Sequence, residues 1–90
     1  MVKTVNLLIK GKVQGVFYRA SARDMARKMG LTGWVQNTGS GDVEIMVTGE
    51  EEVLNQFIKW CRHGPPNASV ENVTVTDSLY YDFEKFEIRK

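Results

Sequence analysis

The amino-acid sequence predicts an α+β sandwich, with two helices packed on one face of a mainly antiparallel sheet of four to five strands. Two segments repeat apolar residues at helical spacing, and several shorter runs alternate at period two. They follow one another as β-α-β-β-α-β, with one further strand, which is the ferredoxin-like split βαβ plan. The chain has 90 residues, enough for one domain spanning 1–90 that buries roughly 60–65% of its unfolded surface.

The first strand is read over residues 4–10. Val5, Leu7 and Ile9 share a face, Leu8 adds an apolar residue to the other face, and Gly11 closes the run. Two apolar faces predict an interior strand. A helix follows over 19–29, with Ala22, Met25, Ala26 and Met29 in one stripe. Gly30 stands where a left-handed C-cap belongs, and Arg27 and Lys28 complement the dipole in the last turn.

Residues 33–38 and 42–48 read as a hairpin closed by Asn-Thr-Gly-Ser-Gly-Asp, the second strand alternating Val43, Ile45 and Val47. The second helix is expected over 50–63. Glu50, Glu51 and Glu52 suit its N-terminus, while Val53, Leu54, Phe57, Ile58 and Cys61 form its stripe, flanked by Trp60. Gly64 and the Pro65-Pro66 pair stop it. The last strands are read over 70–76 and 84–89. Val73 and Val75 share a face, but Val70 breaks the parity, so a bulge or late start is expected near Glu71-Asn72. Which of the two pairs with residues 4–10 is left open.

Charge and composition narrow the function. Twelve basic and eleven acidic side chains leave a net charge of +1, without the basic surplus of a nucleic-acid binder. Residues 4–10 and 42–48 also lack the aromatics of an RNA-binding sheet. Neither a signal-peptide core nor a membrane span is found, and Cys61 is the sole cysteine. A cytoplasmic monomer without nucleic-acid or membrane partners is therefore expected. The two Asn-X-Ser/Thr sites at Asn67 and Asn72 then carry no meaning.

Several chemistries lack their residues. There is no P-loop and no dinucleotide fingerprint, and Gly39-Ser40-Gly41 reads as turn chemistry. One His and one Cys with scattered acids make no metal site. Cys61 falls inside a helical stripe and reads as core. Arg62-His63-Gly64 spells a histidine-phosphatase signature, but it ends an amphipathic helix in a small chain and reads as a helix terminus.

The connection Gly11-Lys-Val-Gln-Gly-Val-Phe-Tyr-Arg19 joins an interior strand to a helix N-terminus. Free N–H groups and the positive dipole end suit such a junction to an anion, and Gly15 permits a close backbone approach. Arg19 is then either a solvated side chain in a tight turn or a five-donor fork for phosphate oxygens. Asn37, at a strand end beside the glycine-rich turn, is either a turn-former or an amide that fixes a water.

These two stretches resemble the two signatures of the acylphosphatase family. The first pattern is a glycine, any residue, Val-Gln-Gly-Val, two residues and an Arg. It is met by Gly11, Val13, Gln14, Gly15, Val16 and Arg19. The second is met by Gly33, Trp34, Val35, Asn37, Gly41, Val43 and Gly49. The closing Gly-Pro-Pro-Asn-Ala-Ser-Val and Phe-Glu-Ile-Arg-Lys stretches extend the likeness over nearly the whole chain. Tyr18 stands where relatives usually carry Phe, and Gln36 where they often carry Lys.

The resemblance implies a hydrolase of the carboxyl–phosphate bond of acyl phosphates, releasing a carboxylate and inorganic phosphate, with no cofactor and no metal. Arg19 would bind the phosphate together with the backbone N–H groups of Gly15, Val16, Phe17, Tyr18 and Arg19. Asn37 would orient the attacking water. The residues themselves agree with this chemistry. A site with no strong general acid, nucleophile or metal expels an alkoxide poorly, but it can expel a carboxylate, whose acid has a pKa of about 4–5. The competing reading is a non-catalytic anion-binding module on the same fold, and the short chain favours the stand-alone enzyme.

Overall fold

The computed structural model describes residues 1–90. The elements are β1 (Val2–Lys12), α1 (Tyr18–Lys28), β2 (Thr32–Asn37), β3 (Val43–Glu50), α2 (Glu51–Cys61), β4 (Ser69–Ser78) and β5 (Phe86–Ile88). The five strands form one sheet in the order β4-β1-β3-β2-β5. Every pairing is antiparallel except β2 with β5, which is parallel. β1 is thus interior, as its two apolar faces require, and β4 is the strand that pairs with it beside β3.

Alternation sorts each strand between two faces. Val5, Leu7, Ile9, Val35, Val43, Ile45 and Val47 are buried beneath the helices. From α1 the stripe contributes Ala22 and Ala26, fully buried, whereas Met25 and Met29 sit at the rim of the core. Small residues let the helix approach the sheet, and flexible methionines fill the margin. From α2 the buried residues are Leu54, Phe57 and Cys61, with Val53, Ile58 and Trp60 partly covered. Phe57 meets Phe86 edge-on at 6.2 Å between centroids, which draws β5 into the core. No helix is long and apolar enough to cross a membrane.

The helix ends follow the sequence closely. At the end of α1, Gly30 N donates to Arg27 O and Leu31 N to Ala26 O, the paired bonds of a Schellman motif. At the end of α2, His63 and Gly64 both donate to Trp60 O. No loop precedes α2, because β3 continues through Glu50, which serves as an extended N-cap.

One expectation is corrected. Gly11 does not end the first strand, which runs on to Lys12 against β4. Lys10 pairs with Asn72 but Gly11 pairs with Val70, so Glu71 is the extra residue of a bulge. This is the irregularity foreshadowed by Val70. Gly11 belongs to it for steric reasons: a Cβ there would collide with the carbonyl oxygen of Ser69.

β4 and β5 lie on opposite edges of the sheet, so the chain between them must cross it. The crossing is pinned on the face away from the helices. Thr4 and Thr48, a cross-strand pair of β1 and β3, share a 2.6 Å hydrogen bond. Tyr81 N donates to Thr4 Oγ1 at 2.9 Å, and Thr48 Oγ1 donates to Tyr81 O at 2.7 Å. The strap delivers β5 to β2 in parallel register, with Ile88 opposite Val35.

Candidate active site

The connection from β1 to α1 is anchored by two of its side chains. Val13 and Val16 point into the core, while Gly15 and Phe17 take left-handed backbone conformations at φ 74° and 65°. Gly15 adopts this without penalty, and the bend gathers successive N–H groups on one side. The first helical bond of α1 runs from Ser21 N to Phe17 O at 3.0 Å. The N–H groups of Tyr18, Arg19 and Ala20 therefore precede the helical ladder, and those of Gly15, Val16 and Phe17 have no partner among the loop hydrogen bonds. No side chain caps this end of α1, and no acidic residue sits in its first turn.

Arg19 stands in that first turn and takes part in none of the chain's ion pairs. A cation there opposes the helix dipole. With uncapped N–H groups beside it, the terminus is strongly suited to an anion.

A cavity of about 450 Å³ opens over this terminus. Gly15, Phe17, Tyr18, Arg19 and Asn37 all line it, so the structure brings together the two stretches singled out in the sequence. Val16 does not line it. Asn37 ends β2 on the same face as Val35, two residues earlier, and its Oδ1 is buried without a hydrogen-bond partner. A buried acceptor left unsatisfied costs about 1–3 kcal/mol.

Beyond Val13 of the loop and Ala20 of α1, two neighbours from the far end of the chain were not foreseen. Ile88 and Lys90 also line the cavity, because parallel pairing with β2 brings the end of β5 beside Asn37. Only the order of the last strands, which local patterning does not contain, could have signalled them. Lys90 adds a second cation. No group of three or more His, Cys, Asp or Glu residues is placed to hold a metal ion.

The two departures from the family pattern also find their places. Tyr18 is buried and donates its hydroxyl to Cys61 O at 2.7 Å. Burial raises the Tyr18 phenol well above its ordinary value, so it stays protonated and engaged. Gln36 lies on the opposite face from Asn37 and donates to Glu44 Oε1 at 3.0 Å, which keeps it out of the cavity. The loss of a charge at position 36 is thus a change to the far face of the sheet.

The fold and cavity define a small ferredoxin-like domain with an uncapped strand-to-helix turn opening on a cavity. The acylphosphatase family model matches residues 5–88. An acylphosphatase of Haloquadratum walsbyi is 44% identical over 85 residues, covering 94% of this chain and 91% of the relative. The solved acylphosphatase of Coxiella burnetii superposes with a TM-score of 0.94 at 39% identity, covering 98% of this chain and 93% of that one. That of Bacillus subtilis gives 0.94 at 33% identity and full coverage of both. The chain belongs to the acylphosphatase family, hydrolases acting on acid anhydrides.

Proposed function

We propose that this chain hydrolyses the carboxyl–phosphate bond of acyl phosphates by direct attack of water on phosphorus, without a metal ion or a phosphoenzyme. The observation that carries the reading is that Asn37, whose Oδ1 has no partner within the protein, lines the same cavity as the unpaired Arg19.

Arg19 and the N–H groups of residues 15–19 bind the phosphate oxygens and stabilise charge as the bond to the leaving oxygen stretches. Asn37 Oδ1 accepts a hydrogen bond from the attacking water and aims its lone pair at phosphorus. The new P–O bond forms as the P–O bond to the acyl oxygen breaks. The carboxylate leaves with that electron pair, and a phosphate oxygen takes the water's proton.

The cavity lining contains no Ser, Thr or Cys, and the Tyr18 hydroxyl is committed to Cys61 O. The attacking oxygen is then water's. A carboxylate needs no protonation to depart near neutral pH, so the lack of a general acid is compatible with an acid anhydride and unsuited to an alkyl monoester.

The test is hydrolysis of benzoyl phosphate by the purified chain in ¹⁸O-water, with and without EDTA. The expected result is turnover unaffected by EDTA, with the label in phosphate. Absence of turnover above background overturns the activity. Inhibition by EDTA overturns the metal-free reading, and label in benzoate overturns attack at phosphorus.

A further inference from the structure

We infer that Gln14 is a positioning residue, which fixes the separation between the phosphate-binding turn and Asn37. The inference rests on the roles proposed above for Arg19 and Asn37.

The β1–β3 ladder ends at the pair Ile9 and Val43. Past it β1 follows β4 alone, through Gly11 and Lys12. The loop that carries Gly15 and Arg19 thus parts from the hairpin that carries Asn37, with no backbone hydrogen bond between them.

One side chain spans the gap. Gln14 Nε2 donates both of its protons across it, to Thr38 O at 3.0 Å and to Asp42 O at 2.8 Å. Both bonds are partly shielded from water, where a lost donor costs more than at the surface.

The receiving end is stiff. Thr38 N donates to Asp42 O at 2.9 Å. Thr38 Oγ1 accepts from Ser40 N and Asp42 N, both at 3.2 Å. The turn therefore moves as a unit, and Asn37 is joined directly to it through the peptide bond to Thr38. At the other end Gln14 lies between Val13, anchored in the core, and Gly15, whose left-handed backbone begins the curve of N–H groups. Gln14 accordingly couples the two halves of the site, although it does not line the cavity. An Asn alone on a hairpin end would orient water only as well as that hairpin is placed, and a misplacement of about 1 Å can cost about a hundredfold in rate.

The experiment compares Gln14→Ala and Gln14→Glu with the wild-type chain, alone and combined with Asn37→Ala. Gln14→Glu keeps the shape but presents a carboxylate to two carbonyl oxygens and loses both donors. The expected result is a fall in kcat of about ten- to a hundredfold for either variant, with the inhibition constant of inorganic phosphate changed less than about threefold, because the turn that binds phosphate is intact. Added to Asn37→Ala, either change should lower kcat no further.

Three outcomes would overturn the proposal. One is wild-type kcat in Gln14→Glu. Another is phosphate affinity falling in step with kcat. The third is the same penalty with and without Asn37, which would point to general loosening. A second readout needs no turnover. In ¹H–¹⁵N spectra of Gln14→Glu, the amides of Thr38 and Asp42 should shift, while those of residues 15–19 still respond to added phosphate. Unshifted Thr38 and Asp42 amides overturn the tie. An inactive wild-type chain would instead count against the function proposed above, and the spectra would still decide the role of Gln14.

Discussion

The Tyr18 hydroxyl donates to the backbone carbonyl of Cys61 at 2.7 Å, joining the first residue of α1 to the last residue of α2. The bond is buried, and Tyr18 also packs against Trp60 with ring centroids 5.7 Å apart. The helix that follows the strand-to-helix turn is thus fastened at its origin to the rest of the core. Removing the hydroxyl leaves a buried carbonyl with no other hydrogen-bond partner. Tyr18→Phe should lower stability by about 1–2 kcal/mol, read as a lower urea midpoint with an unchanged m-value. An unshifted midpoint would mean that the bond adds nothing to stability.

Cys61 gives the chain a defined response to alkali. Burial pushes its thiol from an ordinary value near 9 up to about 12, and burial likewise raises Tyr18. Both groups are harder to ionise when folded, so above pH 9 the unfolded chain sheds protons first. Stability from this source is complete below pH 9 and falls as pH rises towards 12, by at most about 1.4 kcal/mol per pH unit for the thiol. Cys61→Ala removes the thiol's share. The stability gap between wild type and Cys61→Ala should therefore shrink between pH 9 and 11 in urea titrations. A constant gap would show that burial does not shift the thiol.

The parts of the fold that were legible in the sequence are those where burial is written locally. The Val43-Ile45-Val47 alternation and the Leu54-Phe57-Cys61 stripe each name their own inward face, and Val70 betrays the bulge at Glu71 because parity fails there. Gly11 misled because its strand is prolonged by β4, some sixty residues away in the chain. Arg19 and Asn37 were legible through their motifs. Ile88 and Lys90 were not, since their place depends on how the chain crosses the sheet to reach β2. The ties of Gln14 end on backbone carbonyls 24 and 28 residues further on, and that of Tyr18 on one 43 residues further on. Backbone acceptors carry no mark in a sequence, so such contacts emerge only from the fold.

Phe17 holds a left-handed conformation at φ 65° with 79% of its surface exposed. An L-residue there costs about 1–2 kcal/mol that glycine largely avoids, and exposure leaves little packing in return. Comparing Phe17→Gly with Phe17→Ala removes the ring from both and isolates the backbone. Glycine should be the more stable of the two by about 1 kcal/mol, the relief of strain exceeding the entropy it adds to the unfolded chain. Equal stability in chemical denaturation would mean that the turn relaxes once the ring is gone.

Arg19 and Asn37 should fail in different ways when removed. In the proposed mechanism, Arg19→Ala deletes the charge that meets phosphate in both ground and transition states, as well as the donors that strengthen as the bond breaks. It should abolish competitive inhibition by phosphate and cost about 3–5 kcal/mol of transition-state stabilisation, read from kcat/KM. Asn37→Ala leaves the uncapped N–H groups and Arg19 in place and removes only the side-chain amide of a residue that lines the cavity. Its kcat should fall while phosphate inhibition stays close to wild type. The side chain makes no hydrogen bond within the protein, and removing it also relieves a buried unsatisfied oxygen. Asn37→Ala should therefore be at least as stable as the wild type in urea, a loss of rate without a loss of fold. A parallel fall in phosphate affinity would transfer Asn37 from orienting water to binding phosphate, and a marked loss of stability would make it a structural residue of the turn.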